Sequence, residues 1–235
     1  FHGVWLGILS RKAMYEVGER TYGKGKGSYR NSEWNKKGLF DWEEEVVKRH
    51  FSSCRTILVA GAGGGREVYA LRRMGYEADG FDCNPRLVDS AQELFRKEGM
   101  PVTFLLAEPD SCPAMGRIYD GLIVGWGAFT HIEGSGRRIA FLRQMRRCAR
   151  TGSPLLISFF SRTHMNRLEL KMTYLCASIV RRLLGRQGVG YGDSLNLTGY
   201  AHFFSRDEIA AELEAAGFRL ASYSENGPCA VGIAV

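Results

Sequence analysis

Between residues 54 and 160, short apolar runs alternate with stretches whose apolar positions recur every three or four residues. Thr56 to Ala60 reads Thr-Ile-Leu-Val-Ala and meets a glycine at once. Such a run is the pattern of a strand buried on both faces. Arg66 to Met74 carries Val68, Leu71 and Met74 on one side and predicts a helix, with Gly75 placed to end it. Glu77 to Phe81 predicts a second strand, and Pro85 to Lys97 a helix striped by Leu87, Val88, Ala91, Leu94 and Phe95. Further strands are predicted over Val102 to Leu106, Tyr119 to Val124 and Pro154 to Phe160, with a helix over Arg137 to Arg150 between the last two. Strands alternating with helices predict a parallel sheet covered by helices on both faces, an α/β three-layer sandwich.

The pattern changes at the end. Arg206 to Ala216 predicts a helix stopped by Gly217, followed by strands over Phe218 to Tyr223 and Ala230 to Val235. The loop joining them is so short that the two must run antiparallel. Two segments stand outside the alternation. Residues 10 to 38 are polar, aromatic and glycine-studded, and Gly23-Lys24-Gly25-Lys26-Gly27 reads as a mobile entry segment able to order over a bound molecule. Leu39 to Phe51 returns to helical spacing with Trp42, Val46, Val47 and Phe51. In Ser161 to Tyr200, Leu168, Met172, Leu175, Cys176, Ile179 and Leu183 follow helical spacing, opposite Arg167, Lys171, Ser178 and Arg182. The expectation there is a lid packed on the rest of the fold, with a membrane-surface helix as the alternative. The organisation expected is a single domain over 1–235, with an N-terminal cap at 1–50 and a lid insertion at 161–205.

Composition narrows the class. The chain has 235 residues, 45% hydrophobic and 24% charged, which excludes disordered and fibrous proteins. Its net charge of +7 and isoelectric point near 9.2 favour anionic partners without demonstrating nucleic-acid binding. Six cysteines (Cys54, Cys83, Cys112, Cys148, Cys176 and Cys229) form no close pair, so neither a zinc site nor a redox dithiol is expected, and no metal. Scattered thiols suit a reducing compartment, and no apolar run reaches the roughly 20 residues that span a bilayer, so a cytoplasmic location is the default expectation.

The chemistry-bearing motif is Gly61-Ala62-Gly63-Gly64-Gly65, set between a buried strand and a helix. Glycine there lets a ligand approach the backbone, and the helix start offers unpaired amides and a partial positive charge. Asp82 closes the next strand, 21 residues after Gly61, where a carboxylate suits the two hydroxyls of a ribose. Asp82 and Asn84-Pro85 are also a good helix entry, and both readings hold together. A dinucleotide fingerprint would need Gly or Ala at 66, and this chain has Arg66.

Four stretches carry a resemblance: Ile57 to Gly65, Gly80-Phe81-Asp82-Cys83-Asn84-Pro85, Ala107-Glu108-Pro109, and Tyr119 to Val124. The sequence resembles the class I S-adenosylmethionine-dependent methyltransferases over about residues 54 to 160, and by layout at the terminal helix and hairpin. The resemblance implies a Rossmann-like, seven-stranded, mostly parallel sheet of order 3-2-1-4-5-7-6 with an antiparallel C-terminal hairpin. It implies S-adenosyl-L-methionine as cofactor and S-adenosyl-L-homocysteine as product. Carried onto this chain, Gly61, Gly63 and Gly65 would line the methionine part and Asp82 would bind the ribose hydroxyls, with Ala62 and Cys83 also among the cofactor contacts. Glu108, or Asp110, would lie near the adenine amine with Pro109 along the ring, and Gly125 and Trp126 would flank the substrate side. The family often has an acid two residues before the first glycine, where this chain has Val59. Glu67, Tyr22 and Tyr29 are the candidates to take over that role.

The segments that would build the acceptor pocket are both basic. Arg11 to Lys37 holds eight Lys/Arg against three Glu, and Ser161 to Tyr191 six against Glu169. The helix from Arg137 to Arg150 adds six arginines, expected on a solvated face. Methyl transfer often needs only positioning, and a base where the acceptor is a protonated hydroxyl. His131 is the candidate base, with no base as the alternative, and Trp34, Tyr200 and His202 are candidate substrate contacts. After the fourth strand the chain reads Gly125-Trp126-Gly127-Ala128, without the Asn/Asp-Pro-Pro-Tyr/Phe signature of amide- and base-nitrogen enzymes. The reading is transfer to an oxygen or nitrogen of a small molecule. Its rivals are a tRNA or rRNA methyltransferase using the basic cap, a non-catalytic binding subunit, and a protein acting at a membrane surface.

Overall fold

Ile57 and Val59 of the first strand, β1 (Thr56–Ala60), face one layer of helices, and Leu58 and Ala60 face the other. All four are fully buried, which is why the run shows no polar alternation in sequence. The computed structural model describes residues 2–24, 29–163, 165–196 and 199–235. Ahead of β1 come four helices, α1 (His2–Ile8), α2 (Arg11–Lys24), α3 (Ser32–Asn35) and α4 (Asp41–His50). The alternating part runs α5 (Arg66–Arg73), β2 (Glu77–Asp82), α6 (Pro85–Lys97), β3 (Phe104–Leu106) and β4 (Gly121–Val124). It continues through a 3-10 turn at Ala128–His131, α7 (Ser135–Arg147) and β5 (Pro154–Ser158). After β6 (Phe160–Ser161), α8 (Arg167–Leu183), β7 (Asp193–Asn196) and β8 (Gly199–Phe204) come α9 (Arg206–Ala215), β9 (Phe218–Ser224) and β10 (Cys229–Ala234).

Seven strands form one sheet in the order β3-β2-β1-β4-β5-β10-β9. The first five are parallel, and β10 runs antiparallel to both β5 and β9. This is the expected order, with β10 and β9 as the sixth-place and edge strands of the terminal hairpin. Helices α4, α5 and α6 cover one face through Val47, Val68, Leu71, Val88, Leu94 and Phe95. On the other face, α7 and α9 contribute Phe141, Leu142, Met145, Ile209 and Leu213. Because parallel strands end on the same side, the loops after β1, β2, β3 and β4 converge there.

The two flanking segments differ from expectation. Residues 11–24, read as irregular, form α2, whose Met14 joins Leu6, Ala177 and Tyr200 in a separate small core. Tertiary packing here overrides the poor helix propensity of Gly18, Thr21 and Gly23. The lid is not only a helix: β6, β8 and β7 form a second, three-stranded sheet in that order. Cap and lid therefore share one core rather than closing separately. Most of the apolar stripe of α8 points away from that core: Leu168 is 68% exposed, Ile179 60% and Leu183 81%. The fold is entered instead by Leu170, Ala177 and Arg181. The entry segment from residue 25 to 27 lies outside the described residues. All six cysteines are free thiols, Cys229 buried and the other five half-buried.

Of the α7 arginines Arg138 is spent inside the fold, while Arg143 and Arg147 lie on the solvated face expected from the sequence. Arg138 is buried and donates from Nε and Nη2 to both oxygens of Glu212 on α9, at 2.6–3.0 Å, and from Nη1 to the Ile132 carbonyl at 3.2 Å. Arg143 and Arg146 donate to the carbonyls of Ala215, Ala149 and Val235, and Arg150 pairs with Asp120. A buried pair gains little over a hydrophobic replacement but is costly to halve, because one charge is left without a partner. Arg138→Ala is accordingly expected to lower unfolding free energy in urea by about 3–5 kcal/mol, and Arg138→Met with Glu212→Leu to lose much less. A single-variant loss below about 1 kcal/mol, the range of an exposed pair, would contradict the placement.

Candidate active site

The loop Gly61–Gly65 turns sharply between β1 and α5. Gly65 has φ +91°, and a Cβ there would lie 2.7 Å from the Phe95 ring. A Cβ on Gly64 would sit 1.9 Å from the Tyr29 carbonyl oxygen, so the chain at Tyr29 rests directly on the loop. Beside the loop stands Asp82, at the end of β2 and only 8% exposed. The Gly63 amide donates to its Oδ2 and the Asn84 amide to its Oδ1, each at 2.8 Å. Burial pushes the Asp82 carboxyl above its ordinary range, and the amide donors offset part of that rise.

Asn84 carries the arrangement onward. Its Oδ1 accepts the Arg86 amide and caps α6, where Pro85 fills the first position. Its Nδ2 donates to the Glu19 carbonyl of α2 at 3.1 Å. Tyr15, also on α2, donates to the Cys83 carbonyl at 3.2 Å, and Arg11 pairs with Asp110 in the loop after β3. Helix α2 is thus latched across the loops after β2 and β3 and roofs a cavity of about 690 Å³.

That cavity gathers most of the residues singled out in the sequence. Gly61, Gly63, Asp82, Cys83, Glu108, Pro109 and Asp110 line one end, and Tyr22, Tyr29, Trp126, His131 and Tyr200 the remainder, with Phe160 beside them. Five carboxylates reach the wall (Glu19, Asp82, Glu108, Asp110 and Glu133) against two bases, Arg11 and Lys12. His131 is held at both nitrogens. Its Nδ1 lies 2.7 Å from the Tyr200 carbonyl, which can only accept, so Nδ1 carries the proton. Nε2 is then the acceptor of the Tyr22 hydroxyl at 3.0 Å. Burial holds the imidazole below its ordinary range, partly offset by the bond to Tyr200. A neutral imidazole whose Nε2 lone pair is held by a hydroxyl of the cavity wall can act as a general base once that hydroxyl releases it.

Other candidates lie behind the wall. Gly65 faces Phe95, Ala62 is buried, and Gly125 packs so close that a Cβ would meet the Gly61 carbonyl oxygen at 2.6 Å. These three shape the loop without lining the cavity. Trp34 is half-buried beneath the Lys37 ammonium, 5.2 Å from its ring, and does not reach the cavity. His202 does not reach it either: it is buried in the lid sheet, its Nδ1 2.6 Å from Asp193. Periodicity could not separate these from cavity residues, because both kinds of position are inward-facing. Sequence reasoning missed Met14, Tyr15, Glu19 and Phe160 on the wall. Only recognition of α2 as a helix would have brought the first three together.

With Val59 apolar, the carboxylate on the side of the loop after β4 is Glu67, in the first turn of α5. Its Oε1 accepts the Trp126 amide at 3.2 Å and Arg66 Nη2 at 2.8 Å. Arg66 also clasps Glu43 of α4 with both terminal nitrogens, at 2.6 and 2.8 Å, and lies 4.2 Å over the Phe40 ring. Burial and the Glu67 charge push Glu43 upward, and Arg66 opposes them. The bulk that excluded the dinucleotide fingerprint therefore joins the N-terminal segment, the glycine loop and the loop after β4.

Residues 57–152 match the methyltransferase-domain family. No protein of curated function matches the chain in sequence. Three solved structures share its architecture. The 1,6-didemethyltoxoflavin-N1-methyltransferase of Burkholderia thailandensis, solved with its substrate and S-adenosylhomocysteine, is 15% identical with TM-score 0.66, covering 97% of this chain and 92% of that one. The magnesium protoporphyrin IX methyltransferase of Synechocystis, solved with S-adenosylmethionine, is 14% identical with TM-score 0.63, covering 97% and 99%. A SAM-dependent methyltransferase of Methanosarcina mazei is 17% identical with TM-score 0.63, covering 84% and 99%. At such identities the likeness is one of fold. Residues 57–152 thus match a methyltransferase domain, and the chain shares its fold with S-adenosylmethionine-dependent methyltransferases of known structure.

Proposed function

We propose that the chain transfers the methyl group of S-adenosylmethionine to an oxygen or nitrogen of a small, flat, largely apolar acceptor. The observation carrying this reading is that a buried carboxylate beside the glycine loop and a neutral imidazole share one cavity. The residues present suit the cofactor. Asp82 offers oxygens for two ribose hydroxyls, Glu108 or Asp110 an acceptor for the adenine amine, and the rings of Tyr22, Tyr29 and Trp126 faces for a cation. An excess of carboxylates on the wall also suits a positive charge. When bound, the cofactor supplies an electrophilic methyl and its own leaving group.

The chain's part is to position and to take a proton. Trp126 and Phe160, 6.5 Å apart at the ring centres and steeply inclined, offer apolar walls to a flat acceptor. His131 Nε2, facing the same space, accepts the proton of an acceptor hydroxyl as the new bond to carbon forms, with Tyr22 giving up its hold on Nε2. For an amine acceptor already neutral at working pH, positioning alone suffices. The toxoflavin enzyme's substrate is likewise a small molecule. The RNA reading rested on the net charge and the basic cap; of that cap Arg11 and Lys12 reach the cavity wall, where five carboxylates outnumber them.

Incubation with methyl-labelled S-adenosylmethionine and a panel of phenols, aryl amines and amino sugars should label an oxygen or nitrogen of one class. Labelling of tRNA or rRNA instead would contradict the small-molecule reading, and cofactor binding without transfer to any acceptor would leave a non-catalytic subunit. For a hydroxyl acceptor, His131→Asn is expected to lower kcat by about 10²–10⁴-fold, the range of a lost general base. Since burial lowers its pKa from the ordinary 6.5, the acid limb of kcat/KM should lie under that value. An unchanged rate in His131→Asn would remove the base from the mechanism.

A further inference from the structure

Helices α1 and α8 pack side by side at an unusually close approach. A Cβ on Gly3 would lie 2.6 Å from the Thr173 carbonyl oxygen, and one on Gly7 2.6 Å from Val180 Cβ. Leu6 and Gly7 of α1, and Leu170, Ala177 and Arg181 of α8, turn inward. The outward side of α8 is apolar along its length: Leu168, Met172, Leu175, Ile179 and Leu183 are all exposed, at positions 4, 3, 4 and 4 apart. On α1, Val4, Trp5 and Ile8 are exposed as well, Trp5 to 53%. Contiguous apolar surface of this kind on two adjacent helices marks an interaction face rather than scattered exposure.

Charge says what covers it. Arg167, Lys171 and Arg182 are exposed along one margin of the stripe, and none forms an ion pair among the described residues, where Glu169 is the one acid of α8. A second copy docked face to face would set these cations near one another. An anionic bilayer instead pairs them with headgroups while the stripe enters the acyl boundary and Trp5 sits at the headgroup level. No helix among the described residues is long and apolar enough to cross a membrane, so the geometry is that of helices lying along the surface.

We propose that the outer face of α1 and α8 docks the protein on an anionic lipid surface. This goes beyond the methyl-transfer reading and does not rest on it. The small core beneath the face includes Met14 and Tyr200, which also line the cavity. The docked surface therefore stands one layer of side chains from the acceptor end, within reach of acceptors that partition into lipid.

The test is flotation of the whole chain with phosphatidylcholine vesicles containing about one-third phosphatidylglycerol, at roughly 0.1 M salt. Wild type is expected to float, and Leu175→Asp with Ile179→Asp to bind at least about tenfold less, since two large apolar groups no longer enter lipid. Both positions are solvent-exposed, so melting temperature should stay near wild type. Lys171→Glu with Arg182→Glu should bind less, most visibly at low salt. Wild type left at the bottom, equal flotation with pure phosphatidylcholine, or unaltered flotation of the Asp variant would each overturn the proposal. So would a sedimenting dimer that Ile179→Asp dissociates, which would give the face to a second copy.

Discussion

The Asp82 carboxylate is the point on which the cavity depends. A nearly buried anion must be hydrogen-bonded, and here the donors are backbone amides on two different elements, Gly63 of the glycine loop and Asn84 at the head of α6. A hydrogen bond to a charged group contributes about 1.5–3 kcal/mol, enough to fix the loop's orientation relative to the sheet. The constraint propagates through Asn84, which caps α6 with one side-chain atom and holds α2 with another. One acid thus sets the floor of the cavity and, one residue pair later, its roof. Burial raises its carboxyl above the ordinary range, and the amide donors offset part of that rise.

A second buried network completes the far side. Arg66 draws Glu43 and Glu67 together beneath the loop, and Glu67 in turn takes the Trp126 amide. Val59 leaves no acid at that place in the strand, and the carboxylate on this side of the loop comes from the helix instead. The aromatic wall at Trp126 is thereby tied to the same loop as the Asp82 end. Among the described residues, Arg11 and Lys12 are the bases that line the cavity, while Arg143 and Arg146 of α7 donate to the carbonyls of Ala215, Ala149 and Val235.

The sheet was legible because its strands are continuous apolar runs punctuated by glycine and Asp, with α6 foretold to the residue and most other elements to within two. Asp82 and the glycine loop were legible for the same reason, since strand, loop and helix follow in fixed order. Helix α2 was not, because Gly18, Thr21 and Gly23 weaken its pattern and its stability comes from packing on the lid. The lid strands were also hidden. Asp193, Tyr200 and His202 are buried there as a hydrogen-bonded polar group, which hydrophobic alternation cannot report. The stripe on α8 was visible as a period, but a period gives no direction. Only the burial of Leu170, Ala177 and Arg181 on the other side of α8 shows that the stripe faces outward.

Calorimetric titration of S-adenosylhomocysteine into wild type and Asp82→Asn tests the central role of Asp82 most directly. Saturable binding by wild type, weakened at least about tenfold in the variant by the loss of charge-assisted bonds to the ribose, is the expected result. Equal affinity in the two proteins, or no heat of binding from folded wild type, would contradict it and leave the glycine loop holding something else.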